Sequence, residues 1–406
     1  MTNRTKPAGF AEFVALAAML TSLAAMSTDA VLPALSQMGQ ELGVQRANDN
    51  QLIVSLLFLG MAVGQLLYGP ISDSTGRKPA IYLGLGLFAA GSLLALLAGS
   101  FRLLLLGRVM QGLGAAGPRI VTVALVRDQY EGRAMARVMS FVMAVFILVP
   151  VIAPLMGQAI LVVAHWRAIF GVYLLLAVIA AVWFAVRQHE TLPIERRIPF
   201  SPGRIGRAIG EIVGNRIALG YTLAAGLVFG AFLGYLSSAQ QIFQEEYGLG
   251  QLFPAYFAFL ALAIGSASFM NARLVMRYGM RALSFTSALV VAGLSLAFLA
   301  VIVPLGGHPP LWGLMAYLLA IFFFVGILFG NLNALAMEPL GHIAGIGAAV
   351  VGSGSTLISM MLGTVIGQSF NGTVLPLVAG FGLLSLASYG VMRWASAASP
   401  ATSRAG

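Results

Sequence analysis

Polar breaks divide this chain into twelve apolar stretches of about 20 residues or more, near 11–34, 50–71, 80–99, 101–126, 137–163, 167–187, 216–243, 253–275, 282–304, 311–336, 344–368 and 372–393. About 20 apolar residues in a helix reach across the hydrocarbon core of a bilayer. Charged residues make up only 9% of the 406 positions, against about 25% in soluble domains, so a water-facing surface cannot be assembled from them. The stretches are long and rich in Leu, Ala and Gly, which predicts helices rather than the alternating strands of an outer-membrane barrel. A soluble enzyme, a disordered chain and a secreted disulfide scaffold are excluded; there is no cysteine for a disulfide or a thiolate site. The expected fold is an all-α membrane protein with twelve transmembrane helices.

The net charge of +10 matters here through its position. With the N-terminus placed in the cytoplasm, 18 of the 23 Lys and Arg residues fall on the inner side, from Arg4 and Lys6 through Arg77 and Lys78 to Arg393 and Arg404. Only Arg46, Arg102 and Arg167 fall outside, and Arg108 and Arg119 lie within a span. Both termini are therefore expected in the cytoplasm and the chain in the cell inner (plasma) membrane, with no nucleic-acid partner. The first span is read as retained, because cleavage after it would detach the helix that carries Asp29. Four scattered histidines (His165, His189, His308, His342) form no ligand pair at helical spacing, so neither a metal nor a cofactor is expected.

The longest polar connection, 188–215, contains ETLPIERRIPFSPGR and reads as a cytoplasmic linker between an N-terminal six-helix bundle (1–187) and a C-terminal one (216–406). A faint repeat supports the division: GRK at 76–78 closes the second helix and GMR at 279–281 the eighth. Parallel halves joined in this way are a transporter architecture.

Of the 13 acidic residues only Asp29 lies well inside a span. A charge there costs at least about 2.5–3.5 kcal/mol, so its default reading is functional. Asp29 and Arg108 lie at similar depths from the outer ends of helices 1 and 4, and are expected to approach one another. Two readings stay open: a static pair holding the helices together, or a protonatable carboxylate whose proton affinity changes as the arginine moves. Arg119 follows Arg108 by eleven residues, three turns plus about 20°, roughly 16 Å deeper on the same face. That face, with Gln111, Gly112 and Ala115, is expected to line an aqueous substrate cavity. For Arg119, substrate contact and a scaffold ion pair remain equal readings. The glycines of helix 4 permit close packing, and Pro150, Pro154 and Gly157 bend or soften helix 5. Phe170, Tyr221, Phe229, Tyr235, Tyr256, Met139 and Met143 are read mostly as packing.

Several motifs coincide with these helices. Gly69-Pro70-Ile71-Ser72-Asp73-Ser74-Thr75-Gly76-Arg77-Lys78 resembles the signature between helices 2 and 3 of the major facilitator superfamily, and LLLGRVMQGLGAA at 104–116 resembles the helix-4 motif of its proton-driven exporters. STDAVLPAL at 27–35 is similar to the helix-1 aspartate motif of the bicyclomycin- and chloramphenicol-resistance (Bcr/CflA) type. Val126-Arg127-Asp128, His165-Trp166-Arg167 and Glu190-Thr191-Leu192-Pro193 fit that group. The resemblance covers nearly the whole N-terminal half; the C-terminal half agrees mainly in helix count. It implies the major facilitator fold, a monomer, proton coupling at Asp29 and Arg108, and a conformational-switch loop of Gly69, Asp73, Gly76, Arg77 and Lys78. The helix-5 antiporter motif is only partly kept: VPVIAPLMGQ retains Pro154 and Gly157, with Val149, Ala153 and Gln158 where the pattern has glycine.

The expected function is a secondary active exporter of small drug-like compounds, exchanging them for protons by alternating access. No GxxxxGK[ST] loop is present to drive transport with ATP, and no nucleophile–base set lies in the spans, so enzymatic chemistry is not expected. A proton-coupled importer or a dedicated metabolite exporter is the alternative. A non-transporting receptor has no need of a buried acid at the depth of a buried arginine.

Overall fold

The computed structural model describes residues 9–397; Arg4, Lys6 and Arg404 lie outside the described residues. The chain divides into two compact units, Met1–Ser201 and Pro202–Gly406. The first holds α1 (Phe10–Asp29), α2 (Leu35–Glu41), α3 (Leu52–Thr75), α4 (Arg77–Leu96), α5 (Phe101–Gln129), α6 (Gly132–Val163) and α7 (Arg167–Arg187). The second holds α8 (Pro202–Gly214), α9 (Arg216–Gln240), α10 (Phe253–Tyr278), α11 (Met280–Ile302), α12 (Leu311–Met337), α13 (Ala344–Gln368) and α14 (Leu375–Ser396). Among the described residues there is no strand.

Among the described residues, eleven helical stretches are long and apolar enough to cross a membrane. One of them, Leu311–Gln368, runs for 58 residues, about twice what one crossing needs. It is broken between α12 and α13 by a 3₁₀ turn at Glu338–Ile343, where Leu340 leaves helical geometry (φ −105°, ψ 18°). Twelve long helices result among the described residues, each over one of the apolar stretches in the sequence.

Local signals set several ends. The Ser100 hydroxyl accepts from Leu103 N–H at 3.3 Å and starts α5; the Asn215 amide oxygen accepts from Ile217 and Ala218 N–H and starts α9. Gly76 (φ 107°) and Gly279 (φ 77°) hold the sharp α3–α4 and α10–α11 junctions in a left-handed conformation that side chains resist. The GRK and GMR echo is thus one backbone device used twice.

In the first unit α5 lies between α3 and α4. The packing is backbone to backbone: a Cβ on Gly112 would stand 1.9 Å from the Leu57 carbonyl oxygen, so only glycine lets α3 and α5 meet. In the second unit α9 packs on α12, α13 and α14. Residues 188–201 fold back on the first unit, where Ile198 N–H donates to Asp73 C=O at 2.9 Å. The rest of the connection forms α8, which buries Ile205, Ala208 and Ile212 and packs on α9 and α13.

The first span is not one continuous helix. α1 ends at Asp29, a short 3₁₀ turn covers Leu32–Ala34, and α2 resumes at Leu35. Pro33 lies in that turn and has no N–H to continue the ladder.

Candidate functional site

The break in α1 exposes carbonyl groups that an unbroken helix would satisfy internally. The Ser27 carbonyl is taken by a side chain from a neighbouring helix, while that of Met26 still accepts from Ala30 N–H at 3.1 Å and gains a second donor. Arg108, on α5 and 0% exposed, donates from Nη2 to the Ser27 carbonyl, from Nε to the Ile53 carbonyl and from Nη1 to Gln111 Oε1, each at 2.8 Å. The Tyr173 hydroxyl of α7 donates to the Met26 carbonyl at 3.0 Å. Gln111 passes the network to α4 through Ser92 Oγ at 2.8 Å. Four helices are thereby gathered on the end of α1.

Asp29 closes α1 and is 4% exposed. Its carboxylate has no hydrogen bond or ion pair among the described residues. Arg108 therefore meets the Asp29 segment through a carbonyl two residues away, and the direct pair is absent here. Gly157 of α6 covers the break: a Cβ at this position would stand 2.0 Å from the Ala30 carbonyl oxygen. Ala153 and Pro154 share that buried face, while Pro150 is half-buried and α6 stays helical throughout.

Arg119 differs from Arg108. It is exposed, with its guanidinium 5.7 Å from the centre of the Phe146 ring on α6. Gln111 and Ala115 are wholly buried, so Arg119 is the one open member of the three expected cavity residues. Of the aromatic residues singled out in the sequence, Phe170, Tyr221 and Tyr235 are buried.

A second cluster lies at the α3–α4 junction. Arg77 Nη1 donates to Asp73 Oδ1 (2.6 Å) and Ser72 Oγ (2.9 Å), and its Nε donates to Asp128 Oδ2 at the end of α5 (2.8 Å). Gly69 supplies the carbonyl that accepts from Ser72 Oγ at 3.0 Å. Lys78 Nζ donates to the Gln188 carbonyl at 2.6 Å. Glu190 completes the cluster from 113 residues away: its carboxylate accepts from the N–H groups of Arg77, Lys78, Thr191 and Leu192 at 2.9–3.0 Å. Burial pushes the Glu190 carboxyl up, but the four N–H donors outweigh it and hold the carboxyl below the usual range. Two of those donors belong to the first turn of α4, which suits a negative charge.

Asp128 and Glu190 sit in motifs visible in the sequence, yet their partners could not be read there. The same holds for Glu41, which accepts from Trp166 Nε1 at 2.6 Å and pairs with Arg167 and His165, tying α2 to the start of α7. In the second unit a reciprocal amide pair was also hidden: Asn271 of α10 and Asn331 of α12 each donate to the other, at 2.9 and 3.0 Å. Among the described residues no group of three His, Cys, Asp or Glu could hold a metal.

Residues 17–367 match the family model described as Major Facilitator Superfamily. The chain is 30% identical to a bicyclomycin resistance protein homolog of Haemophilus influenzae, covering 91% of this chain and 92% of that one. It is 30% identical to a chloramphenicol resistance protein of Pseudomonas aeruginosa over 84% of this chain and 82% of the other. Among solved structures it resembles a peptide transporter POT in complex with sulfate, at TM-score 0.76 and 15% identity, with 98% and 95% of the two chains covered. A D-xylose–proton symporter gives TM-score 0.72 at 14% identity, covering 94% and 96%. Those two likenesses concern the fold alone.

Proposed function

Because the chain belongs to the Major Facilitator Superfamily, we propose that it is a secondary active efflux transporter, exporting small drug-like compounds in exchange for protons by alternating access. The resistance proteins to which it is similar support drug export. Proton exchange is carried by one observation: Asp29 is enclosed at the broken end of α1 without a hydrogen bond or ion pair among the described residues, beside an arginine held by carbonyls. A carboxylate so placed can take one proton, and Arg108 can leave the Ser27 carbonyl for the carboxylate when that proton departs. Inward proton movement supplies about 2.3 kcal/mol per charge per 100 mV. The Arg77–Asp73–Asp128–Glu190 cluster acts as the latch that breaks and re-forms as the transporter changes state. Both termini face the cytoplasm, the protein lies in the inner membrane, and it works as a monomer.

Exposed Arg119 favours a second reading of the cargo, as an anionic or zwitterionic compound. Substrate-induced proton release in proteoliposomes, with wild type beside Asp29→Asn and a panel including chloramphenicol, bicyclomycin and amino-acid-like metabolites, tests both. Release that vanishes in the variant supports coupling through Asp29. Release that persists reduces Asp29 to a structural role, and silence across the panel from folded protein removes the support for antiport.

A further inference from the structure

We propose that the second unit carries a binding site for an anionic phospholipid, in the open groove between the ends of α11 and α14. The groove has a volume of about 500 Å³ and is lined by Phe285, Tyr389, Arg393, Ser396 and Ala397. Its polar end and its apolar end suit different parts of one molecule.

The polar end is built around Arg393, exposed in the last turn of α14. Its guanidinium donates to the Tyr389 hydroxyl at 3.3 Å and has no carboxylate partner among the described residues. Five N–H donors in a fixed fork suit a phosphate group. Ser396 stands at the same end, its hydroxyl 3.0 Å from that of Tyr221 on α9. No acidic side chain lines the groove, so the anion meets no opposing charge.

The apolar end is formed by the Phe285 and Tyr389 rings, packed edge to face with centres 5.6 Å apart. One turn further along each helix stand Leu289 and Leu386, 52% and 46% exposed. They extend the apolar track along α11 and α14, where an acyl chain would run. A free phosphate would use only the charged end; a phospholipid uses both. The cytoplasmic placement of the termini under Proposed function puts this site in the inner leaflet; the site itself does not rest on that placement.

The protein is reconstituted in equal parts phosphatidylglycerol and phosphatidylcholine, extracted, and its retained lipids are counted by native mass spectrometry. Wild type retains phosphatidylglycerol in preference. Arg393→Gln lowers that retention about tenfold, the loss expected for one charge-assisted hydrogen bond to a phosphate. Ala397→Phe, which fills the groove and keeps the charge, lowers it as well and serves as the test if the first variant does not fold. Arg277→Gln, in the last turn of α10 and outside the groove, leaves retention unchanged. An equal loss in Arg277→Gln overturns the proposal in favour of diffuse attraction. Unchanged retention in both groove variants overturns it, and so does a wild type that retains phosphatidylglycerol and phosphatidylcholine equally. Transport is not the readout, so failure here leaves the efflux reading standing.

Discussion

Arg108 donates to the backbone carbonyl of Ser27 at 2.8 Å, two residues before the acid with which its charge invites it to pair. The arginine thus serves as the C-terminal cap of a transmembrane helix that stops early. Its planar fork reaches acceptors on α1, α3 and its own helix at once, which a lysine cannot do.

Arg108→Lys keeps the charge and loses this geometry. Transport is expected to fall to near background, and stability by about 1–3 kcal/mol for the acceptors left unsatisfied. Efflux assays in everted vesicles and thermal unfolding of the purified variant check the two effects separately. A variant with wild-type transport shows that charge alone suffices.

Gly157→Ala places a methyl group 2.0 Å from the Ala30 carbonyl oxygen. Since backbone stands on both sides, α6 must move away from the break, at about 1–3 kcal/mol. Thermal unfolding is expected to show that loss. Ala153→Gly, on the same buried face, restores a residue the family pattern has and should be tolerated far better.

Glu190→Gln is expected to weaken the α4 cap by about 0.5–2 kcal/mol at neutral pH. Because the folded carboxyl is held below its unfolded value, its stabilisation is complete above the unfolded pKa of about 4.3 and fades as pH falls toward the folded one. The gap in unfolding temperature between wild type and variant should therefore be constant from neutral pH to about pH 5 and shrink below about 4. A gap that widens in acid contradicts the assignment.

Asn271→Leu leaves the Asn331 amide, 3% exposed, without its partner. The single change is expected to cost about 1–3 kcal/mol, and the double change with Asn331→Leu to cost less than the sum. A double-mutant cycle on unfolding temperature measures the coupling; strict additivity shows that the pair contributes nothing.

The helices were legible because side chains facing lipid must be apolar over a fixed length, and the sequence states that directly. The halt in α1 was not, since Ala30, Val31 and Leu32 remain apolar when unwound and hydropathy does not register the backbone. Asp29 and Arg108 stood out as charges where charge is costly. The preference of Arg108 for carbonyls was hidden, because every residue carries a carbonyl and none advertises which is left unpaired. Glu190 and Asn331 illustrate the other gap: each meets its partner across 60 residues or more of chain, beyond any local pattern.

The anchoring of residues 188–201 on the first unit says where this chain tolerates a cut. Severed after Arg187, the first fragment would lose the Glu190 carboxylate that closes α4 and the Ile198 amide that grips Asp73. Severed between Ser201 and Pro202, each fragment keeps its own anchors, and α8 begins at its proline as the leading helix of the other piece. Two genes encoding those fragments are the natural starting point for assembling the transporter from separately expressed halves.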